Sequence, residues 1–164
     1  MLSAPEPLAA HHNIDAFDSG VSSLDNWLKR RATQNQASGA SRTFAVCDDH
    51  TVVAYYALAS SAIAPAATPA RFRRNMPDPI PVVVLARLAI SRSHQGKGLG
   101  RASFQDAAWR VVNAAETIGI RGLLVHAISE EGKAFYLRLG LERSPLEPMT
   151  LMTTVADLRA ALTE

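Results

Sequence analysis

The residues best suited to chemistry form one glycine-rich run, Gln95-Gly96-Lys97-Gly98-Leu99-Gly100-Arg101. Glycines let the backbone turn so that successive N–H groups point at one anion, and a helix that begins there adds its positive end. A diphosphate is the ligand that suits such a loop. Two common nucleotide motifs do not fit, because no Ser or Thr follows Lys97 and the third glycine comes one residue too early for a dinucleotide fingerprint. A tight strand-to-helix turn that binds nothing remains the alternative interpretation.

The elements on either side of this run are those needed to position it. Residues 82–90 are almost continuously apolar, which predicts a central strand, and apolar residues repeat at helical spacing over 104–118. A second apolar strand over 122–127 precedes a helix that begins after Ser129 and ends at Gly140. This alternation of strand and helix predicts an α/β domain built around one mixed sheet.

The rest of the chain completes a single predicted domain. Ser22 and Ser23 are candidate N-caps of a first helix that fades near Gly39, and residues 43–47 and 51–60 predict a β-hairpin. The chain has 164 residues with no internal repeat, so one domain over 1–164 is expected. Three further segments are a long proline-containing connection over 61–81, a last strand over 149–153, and a short helix opened by a capping box at Thr154–Asp157.

Positive charge is concentrated in the middle of the chain. The formal net charge is +2, but residues 26–105 contain eleven basic and three acidic residues, whereas residues 1–25 contain four acids and no Lys or Arg. Fourteen of the 17 basic residues are arginine, the side chain that binds phosphate in a bidentate manner. The distribution indicates either a polyanionic partner or a solvated basic face, and composition alone does not decide between them.

Composition excludes several classes of protein. Hydrophobic residues make up 48% and charged residues 20%, which is typical of a globular chain and not of a disordered or fibrous one. The uncharged run over 51–70 is interrupted by prolines, and the N-terminus lacks the basic start and apolar core of a signal peptide, so we expect no membrane span and a cytoplasmic location. Cys47 is a single cysteine, and the five histidines show no ligand spacing, so we expect no metal site.

The glycine run also carries a resemblance to a known family. Through Gln95, Gly98 and Gly100 it fits the signature (Arg/Gln)-x-x-Gly-x-(Gly/Ala) of the GCN5-related N-acetyltransferases, and like theirs it follows a strand and opens a helix. The chain to about Met152 resembles the acetyltransferase toxins of bacterial toxin–antitoxin modules, the TacT type. The segments that carry this resemblance are FDSG at 17–20, LDNWL at 24–28, GASRTF at 39–44, RFRRNMPDPIP at 71–81 and AFYLRLG at 134–140.

The resemblance implies a toxin that transfers acetyl from acetyl-CoA to the α-amino group of aminoacyl-tRNA and so blocks translation. It implies the acetyltransferase fold, a mixed and mostly antiparallel sheet with flanking helices and splayed central strands. It also implies a cognate ribbon-helix-helix antitoxin, operator DNA bound only through the toxin–antitoxin complex, and a homodimer. The implied CoA contacts are the backbone of Leu88, Ala89 and Ile90 for the pantetheine arm, and Gln95, Gly96, Lys97, Gly98, Leu99, Gly100 and Arg101 for the pyrophosphate.

Tyr136 is the implied catalytic residue. Family members place a tyrosine on this helix near the acetyl-CoA sulfur, where a phenol stabilises the departing thiolate by donating a proton or hydrogen bond. The alternative is a core aromatic side chain beside Phe135, because adjacent residues on a helix cannot both face inward fully.

The central strand lacks the glutamate that many of these acetyltransferases use as a general base. No acidic residue occurs between Asp78 and Asp106. A free α-amino group has a pKa of about 7.7–8.0 and is partly neutral at cellular pH, whereas a lysine amine at about 10.4 is almost fully protonated. The missing carboxylate therefore favours an α-amine acceptor, whose proton passes to water or a backbone carbonyl.

Arginine and lysine side chains form a predicted phosphate-binding surface for the tRNA acceptor stem. Three phosphate contacts from the proline-rich loop would make the log–log salt slope for single-stranded RNA about −2. A solvated surface with some salt bridges to the antitoxin is the alternative. The predicted RNA contacts are Arg71, Arg73 and Arg74 in the proline-rich loop, Arg87 on the central strand, and Lys29 and Arg30 with neighbouring Arg31 on the first helix.

Two other functions compete with the toxin hypothesis. One is an acetyltransferase for a small amine or a protein N-terminus, although a small amine needs no cationic surface. The other is a binding module that keeps the fold without catalysis, although the intact glycine run and Tyr136 argue against that.

Overall fold

The computed structural model describes residues 1–163, so the predicted domain boundary at residue 164 lies just outside the described part. Seven strands and six α-helices follow one another along it. The strands are β1 (Glu6–Pro7), β2 (Arg42–Asp48), β3 (Thr51–Ile63), β4 (Ile80–Ile90), β5 (Gly122–His126), β6 (Glu142–Arg143) and β7 (Thr150–Thr154). The helices are α1 (Ser22–Trp27), α2 (Thr33–Ser38), α3 (Ala70–Arg73), α4 (Leu99–Ala114), α5 (Glu130–Arg138) and α6 (Val155–Leu162).

The strands form one mixed sheet in the order β1-β2-β3-β4-β5-β7-β6. Neighbours pair antiparallel in β1/β2, β2/β3, β5/β7 and β7/β6, whereas β4 and β5 are parallel. The parallel register runs from Val82↔Gly122 to Leu85↔Val125, and β4 then continues to Ile90. The mixed, mostly antiparallel sheet is as predicted, and the short parallel pairing is consistent with the implied splay.

The chain divides into two compact units, and each unit is made of two separate stretches of the sequence. Unit 1 contains Met1–Ala59 and Ala86–Ala107, and unit 2 contains Ser60–Leu85 and the chain from Ala108 onward. The larger core cluster of unit 1 includes Phe17, Leu28 and Tyr55. A core cluster of unit 2 includes Phe72, Ile80, Leu124 and Met152. The strongly apolar β4 contributes residues to both units, since the boundary falls between Leu85 and Ala86.

The first helix differs from its prediction at its start and in its middle. Val21 is the N-cap and no side chain caps the helix, so the predicted caps Ser22 and Ser23 are wrong. A π-helical turn over Leu28–Ala32 separates α1 from α2, and it buries Leu28 and Ala32 while its three cationic residues stay exposed. The helix ends at Gly39 as predicted.

Other predictions fail at the ends of elements. Helix α4 ends at Ala114, so Ile118 is not on its apolar face but 59% exposed. The connection predicted over 61–81 contains the end of β3, a 3₁₀ turn over Pro65–Ala67 and the short helix α3. The caps of α5 and α6 are as predicted: Ser129 accepts from Gly132 N, and Thr154 accepts from Asp157 N. Within residues 1–163, no helix is both long enough and apolar enough to cross a membrane.

Candidate active site

The glycine loop (residues 95–101) connects the end of β4 to α4 in unit 1. Gly96 and Gly98 have φ angles of 75° and 81°, in the left-handed region. No atom lies within 4 Å of the position that a Cβ would occupy at either residue, so the backbone angle and not space requires glycine. Ala102 N–H donates to Gly98 O at 3.1 Å. The preceding N–H groups belong to the first turn of α4, where a helix offers them no internal acceptor and they suit an anion.

Gln95 holds the loop in place. Its Nε2 donates to Ser19 O at 2.8 Å and to Ile90 O at 2.9 Å. Next to it, Arg92 donates its backbone N–H to Asp18 O at 2.8 Å and pairs through Nε with the Asp18 carboxylate at 3.2 Å. The resemblance implied Gln95 as a CoA contact. In the structure its Nε2 binds two protein carbonyls, and these contacts position the loop.

The remaining predicted CoA residues fall into a backbone set and a charged set. Ala89 is buried, whereas Leu88 and Ile90 are half-buried. Lys97 and Arg101 are exposed, and within residues 1–163 neither has a hydrogen-bond or ionic partner. The loop thus offers backbone N–H groups and two unengaged cations, which together suit a diphosphate.

Arg87 is engaged with an aromatic side chain that the prediction did not connect with it. Its guanidinium lies 5.3 Å from the centre of the Trp27 ring, and its Nη1 donates to Ala86 O at 2.7 Å. Trp27 in turn stacks on Tyr55 at 5.9 Å with an interplanar angle of 9°. The Tyr55 hydroxyl donates to Leu24 O at 2.6 Å, and burial raises the pKa of Tyr55 above its usual range. Arg87 is thus partly a packing residue of unit 1.

Tyr136 lies near the C-terminal end of α5 in unit 2. It is half-buried, and so is Phe135, whose ring meets it edge to face at 5.1 Å. Its backbone carbonyl accepts from Leu139 N and Leu141 N at 3.1 and 3.2 Å, which ends the helix there. Burial raises the pKa of Tyr136 above its usual range, so the hydroxyl stays protonated at cellular pH. A protonated phenol is suited to donate a hydrogen bond, although burial that raises its pKa also makes it a weaker proton donor.

The arginine segment (residues 70–74) comprises α3 and its C-cap in unit 2. Arg71 forms a bidentate pair with Asp157, with N···O distances of 2.6 and 2.5 Å. The Nη1 of Arg73 donates to Thr68 O. Arg74 is exposed, and within residues 1–163 its side chain has no hydrogen-bond or ionic partner. The structure thus brings the three predicted RNA contacts together but leaves them unequally available. Lys29 and Arg30 are exposed in unit 1.

A cluster of possible metal ligands in unit 1 was not foreseen from the sequence. Ligand atoms of Glu6, His11 and His12 lie within 4.8 Å of one another. The Nδ1 of buried His12 accepts from Ala9 N at 3.0 Å, so in the neutral ring the proton is on Nε2, which donates to Glu6 Oε1 at 2.7 Å. A metal at Nε2 would place a proton on Nδ1, facing the Ala9 N–H. The cluster therefore fits a hydrogen-bonded structural role.

His126 is the last residue of β5 and lies at the surface. Its ring is hydrogen-bonded to Thr150 Oγ1 at 2.9 Å.

Known proteins resemble the chain over nearly its full length. No model of a protein family matches it. A tRNA-acetylating toxin of Mycobacterium tuberculosis is 47% identical over 160 residues, covering 98% of this chain and 96% of the relative. A crystal structure of a tyrosine-to-phenylalanine mutant of KacT superposes with a TM-score of 0.90 at 28% identity, covering 97% of this chain and 98% of that one.

Structures of the similar protein AtaT contain ligands. AtaT complexed with acetyl-methionyl-tRNAfMet has a TM-score of 0.89 at 28% identity, with 98% of each chain covered. A mutant AtaT bound to the C-terminus of the antitoxin AtaR and acetyl-CoA has a TM-score of 0.86 at 28% identity, covering 100% of this chain and 99% of that one. A KacTA–DNA complex has a TM-score of 0.83 at 29% identity, with 99% of each chain covered. By its near-complete match to a relative at 47% identity, the chain belongs to the tRNA-acetylating toxins, whose fold is that of the GCN5-related N-acetyltransferases.

Proposed function

We propose that this protein is a toxin N-acetyltransferase that moves acetyl from acetyl-CoA to the α-amino group of aminoacyl-tRNA and thereby blocks translation. The observation that carries the proposal is the 47% identity to a tRNA-acetylating toxin over 98% of the chain. The geometry supports it independently, because unit 1 offers an anion-binding loop and unit 2 offers a protonated tyrosine and an exposed arginine.

Acetyl-CoA is the proposed co-substrate, held through the glycine loop. The backbone N–H groups of Leu99, Gly100 and Arg101 face the pyrophosphate, and Lys97 adds charge. Gln95 supports the loop through its two carbonyl contacts. The backbone of Leu88, Ala89 and Ile90, at the end of β4, pairs with the pantetheine arm. No metal is needed for this transfer.

In the transfer step, the neutral α-amine attacks the thioester carbonyl, and the C–S bond breaks as the tetrahedral intermediate collapses to the amide. Tyr136 donates its proton to the departing sulfur, so CoA leaves as the thiol, and water then returns a proton to the Tyr136 phenolate. The amine loses its proton to water or a backbone carbonyl, since β4 carries no carboxylate over Ile80–Ile90. An α-amine with a pKa of about 7.7–8.0 needs little help, which is why an aminoacyl ester suits this site better than a lysine.

The partners of the chain are proposed from its relatives. A ribbon-helix-helix antitoxin neutralises the toxin, and the pair binds operator DNA through the antitoxin. The antitoxin-bound AtaT and the KacTA–DNA complex support this arrangement. We further propose one acetyltransferase domain over residues 1–164, a homodimer, and a cytoplasmic location where aminoacyl-tRNA is used. Co-expression with the antitoxin, followed by operator binding and sedimentation, tests the partner and oligomer proposals.

The deciding experiment supplies radiolabelled acetyl-CoA and charged tRNA to the purified protein. Label should appear on intact aminoacyl-tRNA and be recovered as N-acetyl-amino acid after deacylation. Label on uncharged RNA, on small amines or on protein N-termini alone would instead support one of the competing functions. Absence of transfer to every acceptor would favour the non-catalytic binding module.

A further inference from the structure

The arginine segment carries three cations, but the structure uses them differently. The sequence predicts three equivalent phosphate contacts, from Arg71, Arg73 and Arg74. Together they would give a slope of about −2 for the logarithm of RNA affinity against the logarithm of salt concentration. In the folded chain, Asp157, which lies 86 residues later, engages Arg71, and the nearby Thr68 carbonyl engages Arg73. These contacts decide which guanidinium is available to RNA.

Arg71 is committed to the last helix. Its two terminal nitrogens meet both carboxylate oxygens of Asp157, 86 residues later in the chain. A bidentate arginine–carboxylate pair has a defined geometry and is a stronger restraint than a single contact. Asp157 is itself fixed, because its backbone N–H donates to the N-cap Thr154 at 3.1 Å. The pair therefore attaches the arginine segment to the first turn of α6.

Arg121 also holds the arginine segment, through hydrogen bonds to its backbone carbonyls. Its Nε donates to Phe72 O and its Nη2 to Arg71 O, both at 2.8 Å. Its guanidinium also lies 5.9 Å from the centre of the Phe72 ring. Phe72 is buried and packs closely on Gly122, where a Cβ would lie 2.7 Å from Phe72 Cε2. The backbone of α3 is thus held by two carbonyl contacts and one buried ring.

Arg73 is partly engaged as well, whereas Arg74 is not. The Nη1 of Arg73 donates to the carbonyl of Thr68, a buried residue whose hydroxyl donates to Pro65 O at 2.7 Å. Arg74 follows as the C-cap of α3, with an exposed side chain and no hydrogen-bond or ionic partner within residues 1–163. Asn75 then turns the chain with a φ angle of 59°.

We propose that Arg74 is the guanidinium that this segment presents to tRNA phosphate, and that Asp157 and Arg121 are positioning residues that hold the segment for it. The inference deepens the proposed function and rests on it. Arg71 then acts through Asp157 and not on RNA directly. The contribution of the segment to the log–log salt slope becomes about −0.7 in place of about −2.

The Asp157→Asn variant distinguishes an RNA contact by Arg71 from a positioning role. The two roles predict opposite changes in the affinity for charged tRNA. If Arg71 contacted RNA, removing its carboxylate partner would free the cation and tighten binding of charged tRNA. If the pair positions the segment, the same change loosens α3, and the KM for aminoacyl-tRNA rises several-fold while kcat and the KM for acetyl-CoA stay unchanged. Total tRNA charged with mixed amino acids is the probe. Glu116→Gln, an exposed acid that gives the same change in net charge, is the matched control.

The Arg74→Ala variant tests the phosphate contact itself. Its affinity for charged tRNA should fall about tenfold or more, as expected for loss of one hydrogen bond to a charged group. The magnitude of its salt slope should fall by about 0.7. Arg159→Ala, an exposed arginine on α6, is the control and should change neither. An Arg74→Ala protein with the wild-type slope would overturn the assignment.

Arg71→Glu combined with Asp157→Arg reverses the pair and should recover part of the affinity lost by either single variant. Should Asp157→Asn not fold, Arg71→Lys keeps the charge but loses the bidentate geometry. The positioning role predicts weaker tRNA use by Arg71→Lys, and a direct charge contact predicts nearly unchanged use.

Wild-type acetyl transfer is measured first, so that failure of the two proposals can be told apart. Transfer to charged tRNA together with tighter binding by Asp157→Asn would overturn only the present inference. If the wild type modifies no charged tRNA, the proposed function and the RNA role of Arg74 are both wrong. Hydrogen exchange at the amides of Arg73 and Met76, which donate to Pro69 O and Arg73 O, then decides the positioning role. Faster exchange in Asp157→Asn supports that role, and unchanged exchange refutes it.

Discussion

The glycine loop of unit 1 and the arginine segment of unit 2 are both cationic, but they use their side chains in opposite ways. In the glycine loop, left-handed backbone angles shape the loop, and Lys97 and Arg101 remain without partners in the described chain. In the arginine segment, Arg71 and Arg73 make structural contacts, whereas Arg74 is the arginine with no partner among residues 1–163.

The difference shows that a count of basic residues overstates a binding surface. A loop built by backbone conformation leaves its charged side chains available. In a segment held by ion pairs and guanidinium–carbonyl contacts, some of the cationic side chains are engaged within the protein and are not available to a ligand. Most of the variants below therefore separate cofactor binding, which we assign to unit 1, from acetyl transfer by Tyr136, which we assign to unit 2.

The largest effect is expected in unit 2, from Tyr136→Phe. Loss of the hydroxyl removes the proton donor for the departing thiolate and should lower kcat by about 10²–10⁴. Acetyl-CoA binding, measured by calorimetry, should stay near the wild-type value because that site is assigned to unit 1. Since burial raises the pKa of Tyr136, the wild-type rate should show no loss from tyrosine ionisation up to about pH 10. Phe135→Leu serves as the packing control, and a collapse of acetyl-CoA binding in Tyr136→Phe would contradict the assignment.

The next effect is expected in unit 1, from Gly98→Val. A β-branched residue at a φ of 81° costs about 1–3 kcal/mol or displaces the loop, so the Kd for acetyl-CoA should rise about tenfold. Binding of charged tRNA should be unaffected. Gly98→Asn should be milder, because asparagine tolerates the left-handed conformation and no atom lies within 4 Å of the new Cβ. Equal weakening by Val and Asn would show that bulk, and not backbone angle, is the constraint.

A smaller effect is expected from Gln95→Ala. The change removes the Nε2 donor from Ser19 O and Ile90 O. Each hydrogen bond that is lost lowers the free energy of unfolding by about 1 kcal/mol. Acetyl-CoA affinity should fall a few-fold because the loop is less firmly held, and the melting temperature should fall slightly. Gln105→Ala, an exposed residue on α4, is the matched control. If acetyl-CoA affinity collapses while the melting temperature does not change, Gln95 contacts the ligand directly.

The smallest effect is a pH dependence of the pair that holds the arginine segment. The hydrogen bond from Arg71 lowers the pKa of Asp157, so the pair stabilises the fold above the unfolded aspartate pKa of about 3.9. That contribution is lost as the pH falls through the lower folded value. Both partners are partly exposed, so the contribution is small. The melting temperatures of wild type and Asp157→Asn should differ at neutral pH and converge in acid, and a constant difference would contradict the linkage.

Much of the fold, and the local geometry of the glycine loop, could be predicted because the relevant signals are local. The apolar run of β4, the capping residues Ser129 and Thr154, and the glycine spacing over 95–101 each act within a few residues. Predictions failed where apolar periodicity does not fix the helical geometry or the end of a helix. Helix α4 ends before Ile118, and the first helix contains a π-helical turn that its periodicity did not reveal.

The sequence by itself determined the α/β fold class, the glycine spacing of the loop to which we assign the pyrophosphate, the absence of a carboxylate on the central strand and, through its resemblance, the family. Tertiary structure alone decided which cations are available. It paired Arg71 with Asp157 across 86 residues, placed Arg87 over Trp27, and left Arg74 exposed. The physical reason is that a charge is a property of one residue, whereas its availability depends on partners that only folding brings within hydrogen-bonding distance.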